Sequence, residues 1–159
     1  MSQATKRLRT SDDDEEEEQD SFENLAAAAA QGLLASLRTL IDIKTSPNVS
    51  PHNSNDYTPL MLASYHGHSP AVQLLLEAKA DVDHCSGNNE WTALMFAATK
   101  NQTREMKILL EAKASIDAQG SDGYTALLVA AQKGHDAAVK LLLKSQAPVD
   151  TKDATQRSA

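Results

Sequence analysis

Two blocks of residues recur in this chain at a fixed interval, and that interval limits the possible folds more than any other feature. "YTPLMLASYHGH" at 57–68 returns as "WTALMFAATKNQ" at 91–102 and as "YTALLVAAQKGH" at 124–135. "LLLEAKADV" at 74–82 returns as "ILLEAKASI" at 108–116 and "LLLKSQAPV" at 141–149. Thr58, Thr92 and Thr125 are separated by 34 and 33 residues, and the pairs Leu75/Leu76, Leu109/Leu110 and Leu142/Leu143 keep the same steps. A period of this length marks an array of units that bury their apolar faces only by stacking on one another.

The chemistry of one unit follows from its residues. Thr58 can cap a helix whose first residue is Pro59, where a missing N–H costs nothing. Leu60 and Ala63 share a face, and Gly67 breaks the helix. Ser69 and Pro70 open a second helix, along which Val72, Leu75 and Leu76 recur at helical spacing. About ten residues without apolar periodicity then lead to the next Thr. Each unit is therefore expected to be two short antiparallel helices and an extended connection.

The pattern resembles the ankyrin repeat, with its period of about 33 residues and its T-P-L-H-x-A signature. The resemblance is strong over residues 50–150 and weaker over 22–45, where Leu25, Ala28, Gly32, Leu40 and Ile41 precede Leu60, Ala63, Gly67, Leu75 and Leu76 by 35 positions. It implies an all-α solenoid of helix-turn-helix units with hairpin fingers. The expected organisation is an acidic, disordered tail at 1–21, a degenerate capping repeat at 22–45, and an irregular linker with the first finger at 46–56. Repeats follow at 57–88, 89–121 and 122–150, with the truncated start of another at 151–159 (Ser158 and Ala159 repeat Thr125 and Ala126 after 33 residues). The chain reads as the N-terminal part of something longer, or as a product cut inside an array, so its last helix pair is expected to present apolar surface.

The sequence departs from the family at named places. The family's His after T-P-L is replaced by Met61, Met95 and Leu128, which can pack but are not expected to make its hydrogen bond. The family's left-handed Gly at the end of the second helix is replaced by Lys79, Lys113 and Gln146. In the finger, Asp56 and Glu90 stand where the family prefers Gly, and Gly123 keeps it.

Candidate binding residues come from the same register. Tyr57, Trp91 and Tyr124 occupy one position, immediately before the capping Thr, and account for three of the chain's six aromatic residues. The resemblance places them on the fingers beside the concave face, projecting from the helical core as rungs ~10 Å apart. Asp56, Glu90 and Asp122 lie beside them in sequence, as does Asn89. Two readings follow: the aromatics pack across onto the next finger, or they form a row of binding anchors. In the second reading, aromatic faces with carboxylates nearby suit Lys or Arg side chains of a basic peptide segment. The resemblance adds Tyr65 and His66, Thr99 and Lys100, and Gln132 and Lys133, positions that line the groove in the family.

Other chemistry finds little foothold. His66, His68, His84 and Cys85 could suggest zinc, but the Gly-His pairs at 67–68 and 134–135 belong to the repeat, and no second Cys supplies a usual spacing. Asp81, Asp83, Asp117 and Asp150 recur with the repeat as turn residues. No phosphate loop, nucleophile elbow or catalytic carboxylate pair is present, so no catalytic residue, metal or cofactor is expected. A lone cysteine, no apolar run near the ~18 residues of a membrane span and no apolar leader point to an intracellular protein, cytoplasmic or nuclear. Residues 1–23 hold three basic and nine acidic side chains of a total net charge of −7, so the remainder carries only −1. A nearly neutral body argues against nucleic-acid binding. "KRLR" at 6–9 has the density of a nuclear-import signal, Ser11 precedes an acidic run, and Ser46-Pro47 and Ser50-Pro51 are turn-forming pairs.

The function expected from these residues is non-catalytic protein–protein binding by a monomeric scaffold or adaptor. The alternative is a targeting module of a larger enzyme, channel or RNA-binding protein.

Overall fold

The computed structural model describes residues 24–42, 46–48, 56–87 and 89–150. The expected tail, its basic and acidic runs, Ser11, Ser50-Pro51 and the start of a further repeat lie outside them. Eight helices and no strand are found among the described residues. They form four antiparallel pairs: α1 (24–31) with α2 (Leu34–Asp42), α3 (Pro59–His66) with α4 (Ser69–Glu77), α5 (Ala93–Thr99) with α6 (Thr103–Glu111), and α7 (Ala126–Gln132) with α8 (Asp136–Lys144). The first helices α3, α5 and α7 stack in one row and the second helices α2, α4, α6 and α8 in another.

The same local devices build each pair. Thr58 and Thr125 are extended, and their hydroxyls accept from the N–H groups of Met61 at 3.3 Å and Leu128 at 3.2 Å. Thr92 has the same extended backbone, but its buried hydroxyl makes neither that bond nor another. Met61, in the place of the family's His, makes a bond within its own cap: its thioether Sδ accepts from the Thr58 N–H at 3.4 Å, because the unbranched side chain folds back over the cap.

First helices end in a left-handed residue, Gly32, Gly67, Asn101 or Gly134, with φ between 56° and 78°. Asn is the side chain that tolerates this conformation best. The next residue then sends its side chain to the preceding pair. His68 Nε2 donates to the Ala30 carbonyl at 2.8 Å, Gln102 Nε2 to Tyr65 at 3.4 Å, and His135 Nε2 to Thr99 at 3.0 Å. Each bond satisfies a carbonyl that the end of a helix leaves open. The repeated Gly-His pair is thus a stitch between units. Glycine at 32 and 67 lets the stitching side chain lie directly on the turn, since a Cβ at either would collide with His68 or Gln102.

Second helices end on Lys79, Lys113 and Gln146 at φ 69°, 72° and 65°, as the repeat alignment requires. The amide after each closes on the leucine five residues back, Ala80 to Leu75, Ala114 to Leu109 and Ala147 to Leu142, at 2.9–3.0 Å. A Cβ in this conformation costs about 1 kcal/mol relative to glycine. Lys79→Gly and Lys113→Gly should therefore each raise the melting temperature by about 3–5 °C. Circular-dichroism melts check this, and unchanged or lower values would show that these helix ends carry no strain.

The core is a line of leucine, alanine, valine and methionine running through all four pairs, with Leu25, Leu37, Leu75, Met106, Leu109 and Leu142 fully buried. One charged side chain enters it. Glu105, in the first turn of α6, is 2% exposed and takes the place held by Ala71 and Ala138 in neighbouring units; the Ser69 hydroxyl donates to its carboxylate. Beyond the second helices, Asp81 N–H donates to Asn48 Oδ1 at 2.5 Å, and Ser115 N–H and Oγ donate to the Asp83 carboxylate at 2.8 and 2.6 Å. The Asn48 and Asp83 side chains therefore join successive loops. At the ends of the described stack, Leu33, Leu143 and Val149 are nearly half exposed.

Candidate functional site

The fingers follow from left-handed turns. Asp56, Glu90 and Gly123 have φ of 47°, 54° and 78°. Ser86 N–H donates to the Trp91 carbonyl at 3.0 Å, and Gly120 N–H to the Tyr124 carbonyl at 2.9 Å, closing the second and third fingers. The extra residue that makes one period 34 and the next 33 falls in this turn, which closes over five positions in the second finger and four in the third. Ser121 N–H donates to the Asn89 carbonyl at 2.9 Å, joining the two fingers. Gly120 permits the approach, because a Cβ there would collide with the Trp91 indole and the Asn89 carbonyl.

The aromatic residues do not project as an even ladder. Tyr57, Trp91 and Tyr124 are half-buried and pack against the core. Tyr57, Tyr65 and Trp91 converge edge-on upon Phe96, with ring centroids 5.1, 6.2 and 5.8 Å away. The reason is shape: Phe96 stands where the neighbouring units have Leu62 and Val129, and only it offers a ring with which edge-to-face packing gains energy. Trp91 also leans onto the third finger, where its Nε1–H donates to both Asp122 oxygens at 3.2 and 3.3 Å. Tyr124 stands apart: its N–H donates to Asp122 Oδ1 at 3.1 Å, and its hydroxyl accepts from Gln132 Nε2 at 2.9 Å.

Around Phe96 the concave surface opens into a pocket of about 350 Å³, lined by Tyr57, Met61, Leu62, Tyr65, His66, Asn89, Trp91, Phe96 and Thr99. Six of these, Tyr57, Tyr65, His66, Asn89, Trp91 and Thr99, are sequence candidates that the fold brings together. Lys100 adjoins them, with Nζ 4.8 Å from the centre of the Tyr65 ring. Glu90 lies exposed on the finger next to Asn89, whereas Asp122, Tyr124, Gln132 and Lys133 belong to the next unit, outside the pocket. Sequence reasoning missed Phe96 and Met61, and it overlooked that Phe22 precedes Tyr57 by the same 35 residues that separate Leu25 from Leu60. A position-by-position comparison of units would have exposed Phe96 as the one aromatic among Leu62, Phe96 and Val129.

Among the described residues, no three His, Cys, Asp or Glu side chains gather to hold a metal ion, and no helix is long and apolar enough to cross a membrane. His68 is committed to its stitch. Burial, and then the carboxylates of Glu90, Asp83 and Asp81, push the Cys85 thiol up from its ordinary value, the wrong direction for a nucleophile.

A comparison with curated proteins found no match. The family model described as ankyrin repeats (three copies) matches residues 2–86 and 78–153. Such repeats are generally protein–protein interaction modules. Period, caps, stitched turns and fingers all agree with that match, and the chain belongs to the ankyrin-repeat family.

Proposed function

We propose that this chain is a non-catalytic scaffold or adaptor that holds a protein segment on the concave face and finger tips of its array. The observation that carries this reading is the pocket over Phe96, where apolar and aromatic side chains from two adjacent units remain open to solvent beside a rigid floor. Half-buried tyrosine and tryptophan at the centre of a concave surface is the composition of binding hot spots. Asp56 and Glu90, on the finger side, favour basic side chains in the bound segment. Tyr57, Trp91 and Tyr124 are the proposed anchors, with Tyr65, His66, Asn89, Glu90, Thr99, Lys100, Asp122, Gln132 and Lys133 around them.

The test is selection of a displayed random-peptide library on the wild-type protein, followed by affinity measurement against the Tyr57/Trp91/Tyr124 triple alanine variant. Loss of two or more anchors should weaken binding by roughly thirtyfold or more. Peptides held equally by both proteins would remove the aromatic row from the function.

A further inference from the structure

One bond joins the first turn of α6 to the start of α4, and it reaches the carboxylate buried in the core. Glu105 is 2% exposed, and the Ser69 hydroxyl donates to its Oε1. Ser69 opens α4 and is half-buried, while Pro70 after it is exposed. A second bond links the same two places: Gln102, the residue before α6, donates to the carbonyl of Tyr65, near the end of α3. Tyr65 also lines the pocket over Phe96. The pocket is built from the two units that these bonds hold together, with Tyr57 and Tyr65 from one and Trp91 and Phe96 from the other.

We propose that Ser69 is a phosphorylation site, and that its modification parts the α3–α4 unit from the α5–α6 unit and dismantles the pocket between them. The effect on binding rests on the concave-face reading above; the effect on the junction stands without it.

The step is a phosphoryl transfer. Ser69 Oγ attacks the terminal phosphorus of a nucleoside triphosphate held by a protein kinase. The new O–P bond replaces the one to the departing diphosphate, and the hydroxyl proton passes to the kinase's catalytic carboxylate. The proline that follows is what a proline-directed kinase reads. Ser69 and Pro70 donate no bond to the helical ladder, because the first N–H groups of a helix lack partners there and proline has none to give. Drawing this turn into a kinase cleft is therefore cheap in backbone bonds.

The neighbouring units give the sign of the effect. Positions 69 and 71 in α4 correspond to Thr103 and Glu105 in α6, and to Asp136 and Ala138 in α8. An acid at the start of a second helix is thus tolerated in α8, as helix N-termini favour negative charge. The difference at Ser69 is its partner, a buried carboxylate where the register of the next junction puts Ala138. Phosphate removes the proton that Glu105 accepts and sets roughly two negative charges against it. A helix-end contact at the surface is weak and screened, whereas a buried charge stripped of its donor is costly, so repulsion wins.

Treatment with a proline-directed kinase and ATP, followed by mapping of the modified residues, should find phosphate on Ser69. Phosphate confined to other residues would overturn the proposal. Melts of Ser69→Asp, Ser69→Ala and Glu105→Ala, alone and combined, read the junction. Ser69→Asp should lower the melting temperature by about 5–10 °C, well beyond Ser69→Ala, and the phosphorylated protein should follow it. Glu105→Ala should abolish that excess, and Thr103→Asp, set by register against Ala138, should shift the midpoint by less than about 2 °C. A Ser69→Asp loss no larger than that of Ser69→Ala, or one that survives Glu105→Ala, would likewise refute it. Library-selected peptides should bind Ser69→Asp at least about tenfold more weakly at temperatures where it is folded, and regain affinity when Glu105→Ala is added. Equal affinity for wild type and Ser69→Asp would overturn the control of the pocket. Failure of any peptide to bind wild type would end the concave-face reading, while the melts still decide the junction.

Discussion

Leu109→Ala should lower the unfolding free energy by about 3–5 kcal/mol, the largest effect expected of any single side chain in this array. Leu109 is fully buried in α6, which packs between α4 and α8. Truncating it removes apolar contact and leaves a cavity that short helices, pinned at both ends by stitched turns, are poorly able to close. In a stacked array the damage also spreads, because each unit is stabilised by its neighbours. Against a total stability of about 5–15 kcal/mol for a domain of this kind, such a loss should show as a lower and broader denaturant transition. Leu143→Ala is the control. Its side chain is 45% exposed on α8, and its loss should stay within about 0.5 kcal/mol. Chemical denaturation of the two variants side by side measures the difference, and equal effects would mean that the array does not stack as described.

The second large effect joins stability to function. Phe96→Ala removes the ring on which Tyr57, Tyr65 and Trp91 converge. Each edge-to-face pair is worth about 0.5–1.5 kcal/mol beyond its buried area, so the expected loss is about 3 kcal/mol, the lower end for a phenylalanine truncation because the ring is half-buried. The pocket loses its floor, and the Trp91 indole keeps its bonds to Asp122 but loses its ring partner. Trp91 emission should shift to the red and quench more readily. Selected peptides should bind at least about tenfold more weakly even at temperatures where the variant is fully folded. Phe96→Leu, which restores the residue type found at position 62, should recover most of the stability and little of the binding. Recovery of both would show that the aromatic cluster is packing and nothing more.

The fold was legible because the period is carried by residues with local consequences. Thr58 and Thr125 cap helices and Gly67 stops one wherever they occur, so reading them three times over was enough to place the helices. The strained ends at Lys79, Lys113 and Gln146 were legible for the same reason: the register demands a left-handed residue whatever side chain sits there. The site was less legible because it is built between units. Nothing near Tyr57 in sequence shows that its ring meets Phe96, and nothing near Trp91 shows that its N–H reaches Asp122 across the finger junction. The Met61 thioether was likewise illegible as a cap partner, because that role depends on how one side chain folds back over its own cap. Register tells which positions are equivalent; it does not tell which of three equivalent side chains is large enough to gather the others around it.

The most direct test of the concave-face account is to titrate a library-selected peptide into the isotopically labelled chain and follow its amide and indole signals. The account predicts that the Trp91 indole N–H, the amides of α3 and α5, and those of the second finger shift together as the peptide binds, with Trp91 becoming protected from a soluble quencher. Shifts confined to the outer faces of α4, α6 and α8, with Trp91 unmoved, would contradict it.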